Sequence, residues 1–291
     1  MHVVFHLGSH CTDEDRLVRC LLKNKGRLAA EGIVVPGPSR YRTMLRDTLA
    51  ALHGAQATPE AQAVLLDALM DEDEAVRLIL SNDQFLCFAD RVLEGGTLYA
   101  DAGNRVAAIA NLFPQNDRSL FLSIRNPATF IPALLGRMKK VSYADFVGQT
   151  DLMALRWSGV IAGIRAAVPA LPLTVWSNED TPLIWPELIA AITGHNPATP
   201  VAGLYDLVSE IMSPHGMKAM QSYLSSHKPQ NTQQRRRIVS AFLTKFSLPD
   251  KIEMELDLPG WTTELVEDLT DQYEDDILEI RKMPGVTFLA L

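Results

Sequence analysis

The sequence predicts an α/β protein built on a parallel sheet. Four short apolar runs, "VVFHL" (3–7), "VRLIL" (76–80), "SLFLSI" (119–124) and "LTVW" (173–176), are continuous rather than alternating, as strands buried on both faces are. Helical patterns lie between them over 12–31, 43–53, 59–72, 101–113, 127–138 and 151–168. Strands alternating with helices argue for a parallel sheet flanked by helices. The chain has 291 residues, 47% hydrophobic and 21% charged, which suits one large domain or a domain with an appendage.

Taken in order, "VVFHL" is a strand that ends in a small polar turn, Gly8–Ser9–His10. A helix follows, with Thr12 as its N-cap and Asp15 as a capping-box partner three residues on. Asp13, Glu14 and Asp15 complement the positive end of its dipole. Leu17, Leu21 and Leu28 give it an inward face, and Arg16, Arg19, Lys23 and Lys25 an outward one. After the strand at 76–80, Asn82 or Asp83 reads as the N-cap of a helix over "QFLCFADRVL". After the strand at 173–176, Glu179 and Asp180 read as caps for a helix at 183–193. Ligands of such sheets sit at the carboxyl ends of the strands, which are residues 8–16, 81–86, 125–133 and 177–181 here.

Beyond residue 203 the patterns are helical: "LYDLVSEIMSPHGMKAMQSYL", "NTQQRRRIVSAFLTKF" and "TTELVEDLTDQYEDDILEIRK". "LPG" (258–260) separates the last two, and "PGVTFLAL" reads as an edge strand. The expected organisation is an α/β core over 1–203 with a helical region, 204–291, packed on it.

The net charge of -8 is uneven, since residues 250–291 hold twelve Asp/Glu against three Lys/Arg. The rest is near neutral, which argues against a nucleic-acid partner, whose footprint is a basic face. Three cysteines (Cys11, Cys20, Cys87) make no paired framework and read as free thiols in a reducing compartment. The N-terminus lacks the basic and apolar regions of a leader, and no apolar run approaches the roughly 20 residues of a membrane helix. A soluble, cytoplasmic, bacterial-type protein with no membrane partner is expected.

The stretch "HLGSHCTDEDRLVRCLLKNKGRLAAEGIVVPG" resembles the opening of the sulfotransferase family, above all its bacterial members. These begin with a strand, a loop H-x-G-[ST]-H-K-T-G-T-[ST], a helix and an "L...GI.YPG" segment. Gly8, Ser9, His10 and Thr12 match, as do Leu28, Gly32, Ile33, Pro36 and Gly37. "LFLSIRNPATFIPALLGR" resembles the family's R-[DN]-P-x5-S region through Arg125, Asn126 and Pro127. "LILSNDQF" is similar to its strand ending in S-x-E, with Asp83 in the acidic slot. "LTVWSNEDTPLIWPELIAAITG" and the last helix resemble later segments. The resemblance implies a P-loop-type fold and the co-substrate 3′-phosphoadenosine 5′-phosphosulfate. It places Gly8, Ser9, His10, Thr12 and Arg125 at the donor and Asp83 or His10 as the base. A small-molecule or glycan acceptor with a hydroxyl or amine is implied.

The departures fall on the loop. Cys11 stands where the family has lysine, Asp13 where it has glycine, and Glu14 and Asp15 where it has hydroxyl residues. Ala133 stands at the serine position that helps hold the 3′-phosphate. One carboxylate about 5 Å from a donor charge costs ~3 kcal/mol at an effective dielectric near 20. Two functions follow: sulfuryl transfer, or a degenerate member acting as a binding or regulatory module. His6, His10 and Cys11 as a metal site, and Cys11 as a nucleophile, are lesser alternatives, since neighbouring acids raise a thiol's pKa. Arg235, Arg236 and Arg237 read as a solvated helix face, or as a clamp on a phosphate.

Overall fold

A computed structural model describes residues 1–71, 74–138, 141–252 and 258–291. The chain opens with β1 (His2–His6), α1 (Arg16–Lys23), α2 (Lys25–Ala29), β2 (Ile33–Val34), α3 (Pro38–Leu52), α4 (Pro59–Leu69) and β3 (Arg77–Ser81). Next come α5 (Ala102–Ala110), β4 (Asp117–Ile124), α6 (Pro127–Arg137), α7 (Tyr143–Val147), α8 (Trp157–Ala167), β5 (Leu173–Ser177) and α9 (Thr181–Thr193). The last elements are α10 (Asp206–Ile211), α11 (Pro214–Ser226), α12 (Thr232–Phe246), α13 (Pro249–Ile252), α14 (Thr263–Ile280) and β6 (Val286–Phe288).

The strands form one six-stranded sheet in the order β2-β3-β1-β4-β5-β6, with every pairing parallel. Alternation along each strand sorts side chains to the two faces. Val3, Phe5 and Leu7, Leu78 and Leu80, Leu120, Leu122 and Ile124, and Leu173 and Val175 face a core closed by α3, α4, α5, α6, α8 and α14. Val4, Ile79, Phe121 and Trp176 face a second core closed by α1, α2, α9 and α10. His6 and Ser123 share the parity of that second face. Val208, Met212, Met217, Met220 and Val239 build a third, smaller cluster between α10, α11 and α12.

Several expectations shift. The helix placed at 12–31 starts at Arg16 and breaks at Asn24, whose amide bonds the Cys20 and Ala202 carbonyls. Thr12 is not its N-cap: its hydroxyl donates to the Ser9 carbonyl at 2.7 Å, and the cap position falls to Asp15 in a left-handed conformation (φ 64°). The expected helix over "QFLCFADRVL" is absent among the described residues. Phe85, Leu86 and Cys87 are buried as single residues, and only 3-10 turns follow at 89–91 and 94–96. The Asn82 side chain caps an isolated turn by accepting from the Gln84 amide.

Candidate functional site

A cavity of about 540 Å³ opens at the carboxyl ends of β1, β4 and β5. β1 lies at the point where the strand order reverses, its crossover running one way to β2 while β4 lies on its other side. A crevice outside the strand ends at such a switch point is where open α/β sheets bind ligands. The β1–α1 loop supplies Cys11 to Glu14, β4 and its loop supply Ser123 and Arg125, α6 supplies Thr129, and β5 and its loop supply Trp176 and Glu179. Trp185 of α9, Leu207 and Glu210 of α10, and Lys251 of α13 complete the walls.

The three acids of the loop diverge. Asp13 lines the cavity, and its carboxylate accepts from the Leu17 amide at 2.8 Å, in the first turn of α1. Burial pushes its pKa up to about 7 against the pull of that amide, and Asp15 raises it further. Glu14 lies on the rim and pairs with Arg16 at 3.0 Å, while Arg16 also binds Glu210 at 2.8 Å. Asp15 turns away to Arg42 of α3. Strain accompanies this path, since Cys11, Glu14 and Asp15 all have positive φ. Gly8 also has positive φ (54°), and a Cβ there would stand 3.2 Å from the Asp83 backbone.

Arg125 reaches the cavity but is engaged by protein. Its Nη1 donates to the Cys11 carbonyl at 2.5 Å and its Nε to Thr129 Oγ1 at 3.1 Å. Thr129, one turn before Ala133, thus gives the arginine a hydroxyl that the motif spacing does not mark. Ala133 packs instead at the edge of the larger core.

Of the remaining expected residues Thr12 lines the cavity, whereas Gly8, Ser9, His10 and Asp83 lie off it. Ser9 is buried and donates to the Ser123 carbonyl at 2.5 Å. His10 is buried against Tyr99, with 2.8 Å between Nδ1 and the phenol oxygen, and burial depresses its pKa to about 4. Asp83 is held by Arg137 at 3.0 Å. Burial raises the Cys11 thiol. Among the described residues no three His, Cys, Asp or Glu side chains come together as a metal site.

Two further readings change. Glu179 is not a helix cap. One of its oxygens accepts from the Asn126 amide at 2.9 Å, the other from Ser177 Oγ at 2.7 Å and Tyr273 Oη at 3.1 Å. It thereby ties the β4 loop, the end of β5 and α14 together at the cavity rim. Arg235 and Arg236 are neither a solvated face nor a phosphate clamp: both are largely buried against Glu187 of α9.

On the floor of the cavity only His6 falls in a motif, as the first residue of "HLGSH"; Ser123 and Trp176 were not singled out. His6, Ser123 and Trp176 are 1, 2 and 1% exposed and sit on one face of three neighbouring strands. His6 Nε2, Ser123 Oγ and Trp176 Nε1 are buried with no hydrogen-bond partner among the described residues. The other His6 nitrogen meets Ser81 Oγ at 2.8 Å, and its ring stacks on Trp176 with centroids 5.8 Å apart. Burial lowers the His6 pKa to about 4, so the ring is neutral at physiological pH. A signal was present: polar atoms inside continuous apolar strands have to be bonded.

Fold and site together define an α/β protein with a cavity at the switch point of a parallel sheet. No protein-family model, curated protein or solved structure matches the chain. Among the described residues no helix is long and apolar enough to cross a membrane.

Proposed function

We propose that the chain is a small-molecule-binding module of sulfotransferase-like, P-loop-type architecture that does not transfer a sulfuryl group. Support for the family reading comes from the strand–loop–helix frame of β1 and α1 and from Arg125 on the wall of the cavity. The observation that carries the loss of transfer is the Asp13 carboxylate on the Leu17 amide. An amide in the first turn of a helix is where an anionic donor oxygen binds. Here the protein's own carboxylate takes it, and Arg125 is bonded to Cys11 and Thr129. 3′-Phosphoadenosine 5′-phosphosulfate is therefore not its co-substrate, and His10 and Asp83 are positioned by Tyr99 and Arg137 rather than toward the cavity.

Isothermal calorimetry with adenosine 3′,5′-bisphosphate tests this. The expected result is no binding tighter than about 1 mM, and the double variant Cys11→Lys, Asp13→Gly gains affinity. Micromolar binding to the natural chain would overturn the reading and return the transferase function with the nucleotide donor.

A further inference from the structure

We infer that the cavity takes a neutral small molecule that carries a hydrogen-bond acceptor, a carbonyl or amide oxygen, on an apolar body, with His6, Ser123 and Trp176 reading the acceptor. The inference rests on the reading of the chain as a binding module and adds the chemistry of its ligand.

The floor sets the head group. The Trp176 indole N–H is a donor only, so its partner is an acceptor. Ser123 Oγ donates or accepts as its hydroxyl turns, and His6 Nε2 carries the proton when Ser81 donates to Nδ1. All three atoms are buried, all three residues line the one cavity, and none is paired among the described residues. An unpaired buried polar group is costly, and three in one cavity point to a shared occupant. A carbonyl or amide oxygen has two lone pairs and can accept from two donors.

Charge selects a neutral head. The floor holds no cation, since the His6 ring is neutral. Of the bases on the walls, Arg125 is directed to the Cys11 carbonyl and Thr129, Arg16 is paired with Glu14 and Glu210, and Lys251 stands on α13. Asp13 and Glu179 stand over the same space. An anionic head would be desolvated in a lining where four acids, Asp13, Glu14, Glu179 and Glu210, outnumber three bases, Arg16, Arg125 and Lys251. The walls set the body: Leu17, Trp185, Leu188, Leu207 and Ile211 face the cavity from α1, α9 and α10. A cavity of about 540 Å³ with apolar walls and a few convergent polar atoms is the form of a small-molecule site.

The test uses three matched probes: 1-naphthaleneacetamide, 1-naphthaleneacetate and 1-ethylnaphthalene. Binding is read by calorimetry and by the fluorescence of the tryptophans. The amide is expected to bind about tenfold more tightly than either analogue, the equivalent of one to two neutral hydrogen bonds. Ser123→Ala and Trp176→Phe each reduce that preference by roughly threefold to tenfold. Ser123→Ala deletes a hydroxyl with no partner, so it melts no lower than the natural chain and stays interpretable if Trp176→Phe misfolds. Equal binding of the three probes, preference for the acetate, or no binding of the amide up to about 1 mM overturns the inference. Ordered water on all three atoms that the amide does not displace, seen in a crystal soaked with it, also overturns it. None of these outcomes touches the closed donor loop, which fails only if the bisphosphate binds.

Discussion

Asp13 is the residue on which the site turns. The sequence showed three consecutive acids at a helix start without showing where they point, because a left-handed residue in the loop redirects every side chain after it. Asp13 faces in, Asp15 faces away, and Glu14 stays on the rim with Arg16. The Asp13 pKa is raised by burial to about 7, above its unfolded value near 4. A raised carboxyl stabilises the fold fully below the unfolded value and loses that contribution as pH rises through the folded one. Asp13→Asn removes the titration and keeps an oxygen for the Leu17 amide. Its melting temperature should exceed that of the natural chain by a margin that grows between about pH 4 and pH 7 and levels off above. Scanning fluorimetry across that range measures this, and a margin independent of pH would show that Asp13 does not titrate there. Ser123 and Trp176 were legible only as strand residues, and His6 only as a motif histidine and a lesser metal candidate. Their common face depends on the register between β1, β4 and β5, which a single chain of letters does not carry.

Among the elements, the central strands were readable because β-branched and apolar residues run unbroken through them. β2 was not, since a two-residue strand has no period. The segment 84–93 looked helical but is pinned residue by residue into the larger core. The acid-rich last helix was readable as a helix, but the one acid that it buries to cap another element was not. Asp276 of α14, 2% exposed, accepts from the Trp157 amide at 2.6 Å and the Ser158 amide at 3.1 Å. It caps α8 from a distant part of the chain, and Trp157 then bonds the Arg125 carbonyl at 2.8 Å. Asp276→Ala leaves two buried amides unpaired. It is expected to cost about 1–3 kcal/mol in urea unfolding. A cost below about 0.5 kcal/mol would remove the cap from the account.

For the molecule as a whole, residues 204–291 are joined to the core by side chains as well as by the sheet. Arg235 of α12 meets both Glu187 oxygens, at 2.8 and 2.7 Å, and the Leu183 carbonyl, while Arg236 lies 3.3 Å from the same carboxylate. Removing that carboxylate strands two largely buried guanidinium groups. Glu187→Ala should destabilise the chain by about 1–3 kcal/mol, a pair energy reduced for partial solvent access. Arg237→Ala, on the exposed side of the same helix, should change it by less than about 0.5 kcal/mol. Chemical denaturation of the two variants side by side decides between a structural joint and a decorative pair. The sheet itself has one more property. Its inner strands run for five to eight residues, but its borders are β2, with two, and β6, with three. A strand from another chain would find only a few free amides and carbonyls on either side. Short borders of this kind keep a parallel sheet from recruiting further copies, so the interior length that builds the cavity brings little hazard of self-association with it.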